Sequence, residues 1–69
     1  MKNRIKVLRA EQKLTQQELA DKAGISRFAL STIECEKGSP DGETIVKLVK
    51  ALGVPANKIF EELDVKEAK

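Results

Sequence analysis

Side chains suited to catalysis are scarce in this 69-residue chain. Histidine is absent and Cys35 is the single cysteine, which excludes a histidine general base, a disulfide within the chain and a zinc site of the usual ligand types. Glu61 and Glu62 are adjacent on a polar segment, with no neighbours that would shape a pocket around them. We therefore expect no enzyme, metal or cofactor, and we expect Cys35 to be a small residue at a helix end.

Basic residues are concentrated at the front of the chain, although the formal net charge is only +2. Lys2, Arg4, Lys6, Arg9 and Lys13 precede residue 14, whereas acidic residues predominate towards the end of the chain. This distribution is compatible with a nucleic-acid partner at one face. Solvated helix surfaces explain the same charges equally well.

The chain carries no sequence signal for a membrane or for export. No apolar run approaches the roughly 20 residues that span a bilayer, and the N-terminal segment is charged where a signal peptide would be apolar. We therefore expect a cytoplasmic protein without membrane contact.

Residues 15–34 have the pattern of two short amphipathic helices joined by a turn. Thr15 and Glu18 have the spacing of a capping box, which predicts a helix that begins one residue after Thr15. Gly24 suits the left-handed backbone that ends this helix, and Ser26 is an N-cap for the next one. The apolar positions with helical spacing are Leu19, Ala20, Ala23, Ile25, Leu30 and Ile33. Two such helices must cross at a large angle and pack on each other.

The remaining sequence predicts a single small all-α domain. Hydrophobic residues make up 41% of the chain, but Phe28 and Phe60 are the only aromatics, so the core must be aliphatic. Strict alternation of apolar and polar residues is absent, which disfavours a sheet. A chain of this size buries only roughly 60% of its unfolded surface, so a large cleft is not expected.

Three more helices are predicted outside the central pair, over residues 2–12, 42–52 and about 56–63. Asp41 is placed to cap the second of them, and Gly53 to end it. Pro55 is pre-organised for the start of the last helix. We predict one domain over residues 1–63 and a polar, frayed tail over residues 64–69.

Arg9 and Glu34 are charged residues that border the apolar faces of their helices. A partly buried guanidinium needs a partner, and a carboxylate at the C-terminal end of a helix is disfavoured by the helix dipole. A bidentate Arg9–Glu34 ion pair between the first and third helices would satisfy both groups. Two separate surface charges are the alternative.

These features together resemble the helix-turn-helix DNA-binding domains of the Cro and phage-repressor family, also called the XRE family. The resemblance covers roughly residues 5–60 and is carried by Ile5, Leu8, Arg9, the run LTQQELADKAGIS at 14–26, Leu30, Ile33, Glu34, Pro40 and the run ETIVKLVKALGV at 43–54. It implies a compact, lambda-repressor-like bundle of five helices. It also implies that the Arg9–Glu34 pair matches a salt bridge often found in members. Glu36 departs from the family pattern, which commonly has glycine there, and Gly42 stands where an apolar residue is usual.

The resemblance implies that a recognition helix of about residues 27–34 lies in the major groove while the preceding helix crosses the backbone. The candidate base contacts are Arg27, Phe28, Ser31 and Thr32. Arg27 could bond guanine N7 and O6 or a phosphate, and Phe28 could meet a thymine methyl or pack against the preceding helix. The candidate phosphate contacts are Gln16, Gln17, Lys37, Ser39 and Thr44.

The expected function is sequence-specific regulation of transcription, by a repressor that binds a palindromic operator as a homodimer. One domain reads about one half-site, so a dimer is the economical arrangement, and Pro55, Phe60 and Leu63 are its candidate interface. The chain shows no sign of a small-molecule ligand. The alternative, favoured by the modest net charge and by Phe28, is a protein-interaction module such as an antitoxin or a coactivator-like partner with weak DNA binding.

Overall fold

The computed structural model describes residues 2–61, and in that range the chain forms five helices and no strand. They are α1 (Ile5–Gln12), α2 (Gln16–Ala23), α3 (Arg27–Glu34), α4 (Gly42–Leu52) and α5 (Ala56–Ile59). The predicted all-α, five-helix fold is confirmed. The predicted frayed tail of residues 64–69 lies outside the described residues.

Local capping signals set the bounds of α2 and α3 as the sequence predicts. The Thr15 hydroxyl accepts from the Glu18 N–H at 3.0 Å, and the Glu18 carboxylate accepts from the Thr15 N–H at 2.8 Å. Gly24 has φ +73°, and the Ser26 hydroxyl accepts from the Ala29 N–H at 3.0 Å. These bonds satisfy N–H groups that a helix start leaves free, so the turn between the two helices is held at both ends.

Helix α1 begins at Ile5 and not at Lys2 as the sequence predicted. The Asn3 side chain accepts from the Ile5 N–H at 3.1 Å and donates to the Ile33 carbonyl at 2.8 Å. This segment is therefore bonded to α3, and a tertiary contact takes the place of the extra helical turn.

The core is aliphatic apart from Phe60, and it includes residues from all five helices. Its buried members are Ile5, Leu8, Leu19, Ala20, Ala23, Leu30, Ile33, Leu48, Ala51, Leu52, Ile59 and Phe60. Both stripes predicted for α2 and α3 lie within it or pack against it. The core thus fixes how α3 is presented at the surface.

The end of α5 corrects the predicted dimer interface. The helix stops at Ile59, and Phe60 has an extended backbone with φ −119° and a fully buried side chain. A side chain that fills the core of its own domain is not available to a partner, so assigning Phe60 to the interface was wrong. Pro55 is exposed, and Leu63 lies outside the described residues.

Helix α3 ends in a left-handed turn formed by a residue that carries a side chain. Glu36 has φ +61°, its N–H donates to the Ile33 carbonyl at 2.9 Å, and the Lys37 N–H donates to the Thr32 carbonyl at 3.2 Å. These are the two bonds of a Schellman motif, whose left-handed position favours glycine. A residue with a Cβ in this conformation costs roughly 1–2 kcal/mol.

Replacing Glu36 by glycine should therefore stabilise the domain. The relief of backbone strain exceeds the roughly 0.5–1 kcal/mol of extra chain entropy that glycine loses on folding, which leaves a net gain of about 0.5–1 kcal/mol. Thermal unfolding should show a rise in Tm of about 2–8 °C for a domain of this size. Glu36→Ala removes the same charge but keeps the Cβ, and an equal gain in that variant would assign the effect to charge.

Candidate nucleic-acid interface

The outward face of α3 carries the four predicted base contacts at different depths. Arg27 and Phe28 are exposed, Phe28 to 81%, whereas Ser31 and Thr32 are half-buried. The Thr32 hydroxyl donates to the Phe28 carbonyl at 3.0 Å, so it is engaged within the helix. Leu30, on the opposite side, is fully buried. Core packing on one side of the helix therefore leaves the first turn of α3 as its most accessible part.

An open hollow of about 300 Å³ lies between this first turn and the start of α2. It is lined by Gln16, Arg27, Phe28 and Ser31. An aromatic ring, a guanidinium, an amide and a hydroxyl thus meet at one place. Such a combination can contact both the polar edge and the apolar methyl group of a base.

The structure brings Arg9 and Glu34 together as a bidentate pair. Arg9 Nε lies 2.7 Å from Glu34 Oε2, and Arg9 Nη2 lies 3.0 Å from Glu34 Oε1. The side chains are 18% and 1% exposed, respectively, and Arg9 also donates to the Leu14 carbonyl at 3.1 Å. The hydrogen bond to Glu34 raises the pKa of Arg9 above its ordinary value, with burial acting against it and the negative charge of Glu34 adding to it.

Gln16 connects this ion pair to the outward face of α3. Its amide nitrogen donates to Glu34 Oε1 at 3.1 Å, and its amide oxygen accepts from Arg27 Nε at 3.4 Å. The sequence identified Gln16 as a candidate phosphate contact but not its link to Arg27. No local pattern signals that link, because it requires residues from α2 and α3 to meet in space.

The other predicted phosphate contacts lie at the start of α2, in the connection between α3 and α4, and in the first turn of α4. Gln17 is exposed at the start of α2 and donates to Asp21 Oδ1 at 2.9 Å. Lys37 and Ser39 are exposed in the connection between α3 and α4. The side chains of Gln17, Lys37 and Ser39 are therefore accessible to a polyanion.

Thr44 is half-buried in the first turn of α4, beside the cap of that helix. Its N–H donates to Asp41 Oδ1 at 2.9 Å. Hydrogen bonding by Thr44, through its side chain and its backbone, lowers the pKa of Asp41 below its ordinary value. A carboxylate therefore already occupies the N-terminus of α4, which limits the room for a phosphate there.

Residues 2–61 contain neither a membrane-spanning helix nor a cluster of metal-binding side chains. No helix in this range has the length and apolar character needed to cross a membrane. The same residues contain no group of three His, Cys, Asp or Glu side chains that could hold a metal ion.

Comparison with known proteins identifies the class to which this fold and this surface belong. A family model described as helix-turn-helix matches residues 5–59. The chain is 43% identical over 65 residues to the immunity repressor protein of Bacillus phage phi105, covering 93% of this chain and 45% of that protein. It is 42% identical over 60 residues to an uncharacterized HTH-type transcriptional regulator of Methanocaldococcus jannaschii, covering 87% and 91%.

A solved structure is similar as well. The hypothetical transcription factor NHTF from Neisseria matches with a TM-score of 0.73 and 28% identity, over 84% of this chain and 68% of that one. The chain thus belongs to the helix-turn-helix family of Cro/C1-type, or XRE, DNA-binding domains, as the resemblance predicted. Proteins of this family are non-enzymatic regulators of transcription. The chain spans less than half of the phage repressor and nine-tenths of the archaeal regulator.

Proposed function

We propose that this protein is a sequence-specific transcriptional regulator that acts as a repressor, with α3 lying in the major groove of its operator. The observation that carries the proposal is the exposed first turn of α3, where the side chains of Arg27 and Phe28 are accessible beside the start of α2. In a helix-turn-helix this part of the recognition helix contacts base edges. The name of the related phage protein, an immunity repressor, supports repression as the outcome of binding.

The α3 side chains proposed to contact DNA bases are of two kinds, polar and apolar. Arg27 can donate two parallel bonds to N7 and O6 of a guanine, and Phe28 can contact the methyl group of a thymine. Ser31 and Thr32 lie deeper and supply hydroxyls to a base or a phosphate. Because Phe28 is 81% exposed, the structure gives no support to its packing against α2.

Phosphate contacts hold the recognition helix in register. The start of α2 supplies free N–H groups and the positive end of a helix dipole, with Gln16 and Gln17 as side-chain donors. Lys37 and Ser39, exposed in the connection between α3 and α4, supply further donors. Thr44 is the weaker of these candidates, because the Asp41 carboxylate already caps the N-terminus of α4. These contacts position the domain on the duplex without reading sequence.

A two-fold dimer on a palindromic operator completes the proposal, since a single domain of this size contacts about one half-site. Pro55, which is exposed, remains a candidate contact for the second subunit, and Leu63 remains a sequence prediction. Selection of binding sites from random duplexes, followed by footprinting, should yield two inverted half-sites about one helical turn apart. A single protected half-site would contradict the dimer.

Two substitutions separate base reading from phosphate contact. Arg27→Ala should reduce preference at one base pair by about 5- to 150-fold, which corresponds to roughly 1–3 kcal/mol, and leave the other positions unchanged. Lys37→Ala should weaken binding to all duplexes alike and reduce the slope of log K against log salt by about 1. Competition binding on a panel of duplexes at several salt concentrations measures both effects.

The same titration tests the alternative function. Wild-type affinity for DNA should fall steeply with salt, because phosphate contacts release counterions. Absence of measurable DNA affinity, together with salt-indifferent binding to a protein, would instead favour an interaction module. Phe28 would then be the natural anchor for that partner, because it is an exposed aromatic.

A further inference from the structure

We propose that the hollow beside the first turn of α3 recognises the C5 methyl group of a pyrimidine, on 5-methylcytosine as well as on thymine. Methylation of cytosine at one position of the binding site then strengthens the binding of this protein to DNA. This response to methylation rests on the proposed function, since it requires α3 to lie in the major groove. It adds a chemical signal on the DNA to which binding responds.

Phe28 is an exposed aromatic side chain that needs an apolar partner once α3 lies in the major groove. Its ring is 81% exposed, and it lines the hollow together with Gln16, Arg27 and Ser31. The base edges in the major groove present hydrogen-bonding groups and one apolar group, the methyl on C5 of thymine. A phenylalanine in that position gains buried apolar surface chiefly from this methyl group.

The base 5-methylcytosine presents the same methyl group at the same place in the groove. Thymine and cytosine differ at C4, where thymine has the O4 acceptor and cytosine has the N4 amino donor. A side chain that contacts only the methyl group therefore does not separate 5-methylcytosine from thymine. It separates each of them from the base that lacks the methyl group, which is cytosine in the first case and uracil in the second.

The polar lining of the hollow suits both methylated bases. The Ser31 hydroxyl can donate to O4 of thymine or accept from N4 of cytosine. None of Gln16, Arg27, Phe28 and Ser31 is a carboxylate, which is the group that selects cytosine through its N4 amino donor. The hollow therefore responds to the methyl group more than to the group at C4.

Arg27 extends the preference to the neighbouring base pair. It directly precedes Phe28, both side chains are exposed, and both line the hollow. When Arg27 donates to N7 and O6 of a guanine, Phe28 therefore contacts an adjacent base pair. The preferred step combines a guanine with a C5-methylated pyrimidine. Such a step contains either a thymine beside a guanine or a methylated cytosine beside a guanine.

The size of the effect follows from the apolar surface of one methyl group. Its burial against Phe28 should raise affinity about fourfold, as for one buried methylene group. This ratio should be the same at every salt concentration, because the methyl group carries no charge and releases no counterion. Affinity itself should still fall steeply with salt through the phosphate contacts. The two dependences separate the methyl contact from electrostatics.

The test exchanges methyl groups on the DNA one at a time. A binding site is first selected from random unmethylated duplexes with the wild-type protein. Each thymine of this site is then replaced by uracil in a separate duplex, and competition binding identifies the thymine whose methyl group contributes to affinity. At that position four duplexes are compared, which carry thymine, uracil, cytosine or 5-methylcytosine with the matching purine opposite.

The wild-type protein should bind thymine about fourfold more tightly than uracil, and 5-methylcytosine about fourfold more tightly than cytosine. Phe28→Ala should bring both ratios to about one, and it leaves the core intact because Phe28 is exposed. Val7→Ala is the matched control. Val7 is an apolar side chain of α1 that is 46% exposed and does not line the hollow, so both ratios should keep their wild-type values.

Equal binding of cytosine and 5-methylcytosine by the wild-type protein would overturn the proposal, even if thymine and uracil still differed. A preference for 5-methylcytosine that persists in Phe28→Ala would also overturn it, because the preference would then come from the altered shape of methylated DNA. Failure of the proposed function is distinguishable from both results. The selection would then return no bound duplex, before any methyl group is exchanged.

Discussion

Arg9→Ala should lose about 3–5 kcal/mol of the free energy of unfolding, because it leaves the Glu34 carboxylate buried without its charged partner. Glu34 is 1% exposed, and its remaining described side-chain bond is the one from Gln16. A domain of this length is stabilised by only roughly 3–10 kcal/mol. The urea concentration at the midpoint of unfolding should therefore fall sharply relative to the wild-type protein, as measured by circular dichroism at 25 °C.

A double variant separates the cost of an orphaned charge from the loss of contacts. Arg9→Met combined with Glu34→Met removes both charges and keeps side chains of similar length, and it should recover most of the stability that Arg9→Ala loses. Arg9→Lys should be intermediate, because an ammonium keeps the charge but cannot form the bidentate pair. A loss below about 1 kcal/mol in Arg9→Ala would mean that the pair behaves as a surface salt bridge.

The two phenylalanines should respond in opposite ways to truncation. Phe60→Ala should cost about 3–5 kcal/mol, since Phe60 is fully buried and the cavity is only partly refilled. Phe28→Ala should change stability by no more than about 0.5 kcal/mol, since the ring is 81% exposed. Thermal unfolding of the two variants at equal protein concentration measures the difference.

Protein concentration and DNA binding supply the controls. The destabilisation by Phe60→Ala should be the same at low and high concentration, because Phe60 supports its own domain; a loss that grows on dilution would restore Phe60 to a dimer interface. Phe28→Ala should instead abolish discrimination between thymine and uracil at one operator position, since these bases differ by the methyl group. Unchanged discrimination would remove Phe28 from the base contacts.

The helix-turn-helix itself could be predicted because its signals are local. The capping box of Thr15 and Glu18, the left-handed Gly24 and the cap at Ser26 act over at most four residues. The same is true of α4, which begins after Asp41 and ends before Gly53 as predicted. Side-chain spacing then identified which faces are apolar, and the buried stripes follow it.

The wrong predictions concern two helix ends whose positions depend on contacts between residues far apart in the sequence. Asn3 bonds the carbonyl of Ile33, thirty positions away, and α1 starts later than its periodicity suggests. Phe60 has the spacing of a residue on a helix, yet α5 ends before it and the side chain enters the core. Neither the start of α1 nor the end of α5 can be predicted from the residues adjacent to it in the sequence.

The sequence by itself determined the five-helix order, the turn between α2 and α3 and the side of α3 that faces away from the core, since each follows from periodicity and capping within a few residues. Only the tertiary structure decided which of those residues act together. Arg9 and Glu34 are 25 positions apart, and Gln16 and Glu34 are 18 apart. Such pairs form because the apolar stripes pack the helices at one particular angle, and that angle brings Gln16 between the buried ion pair and Arg27.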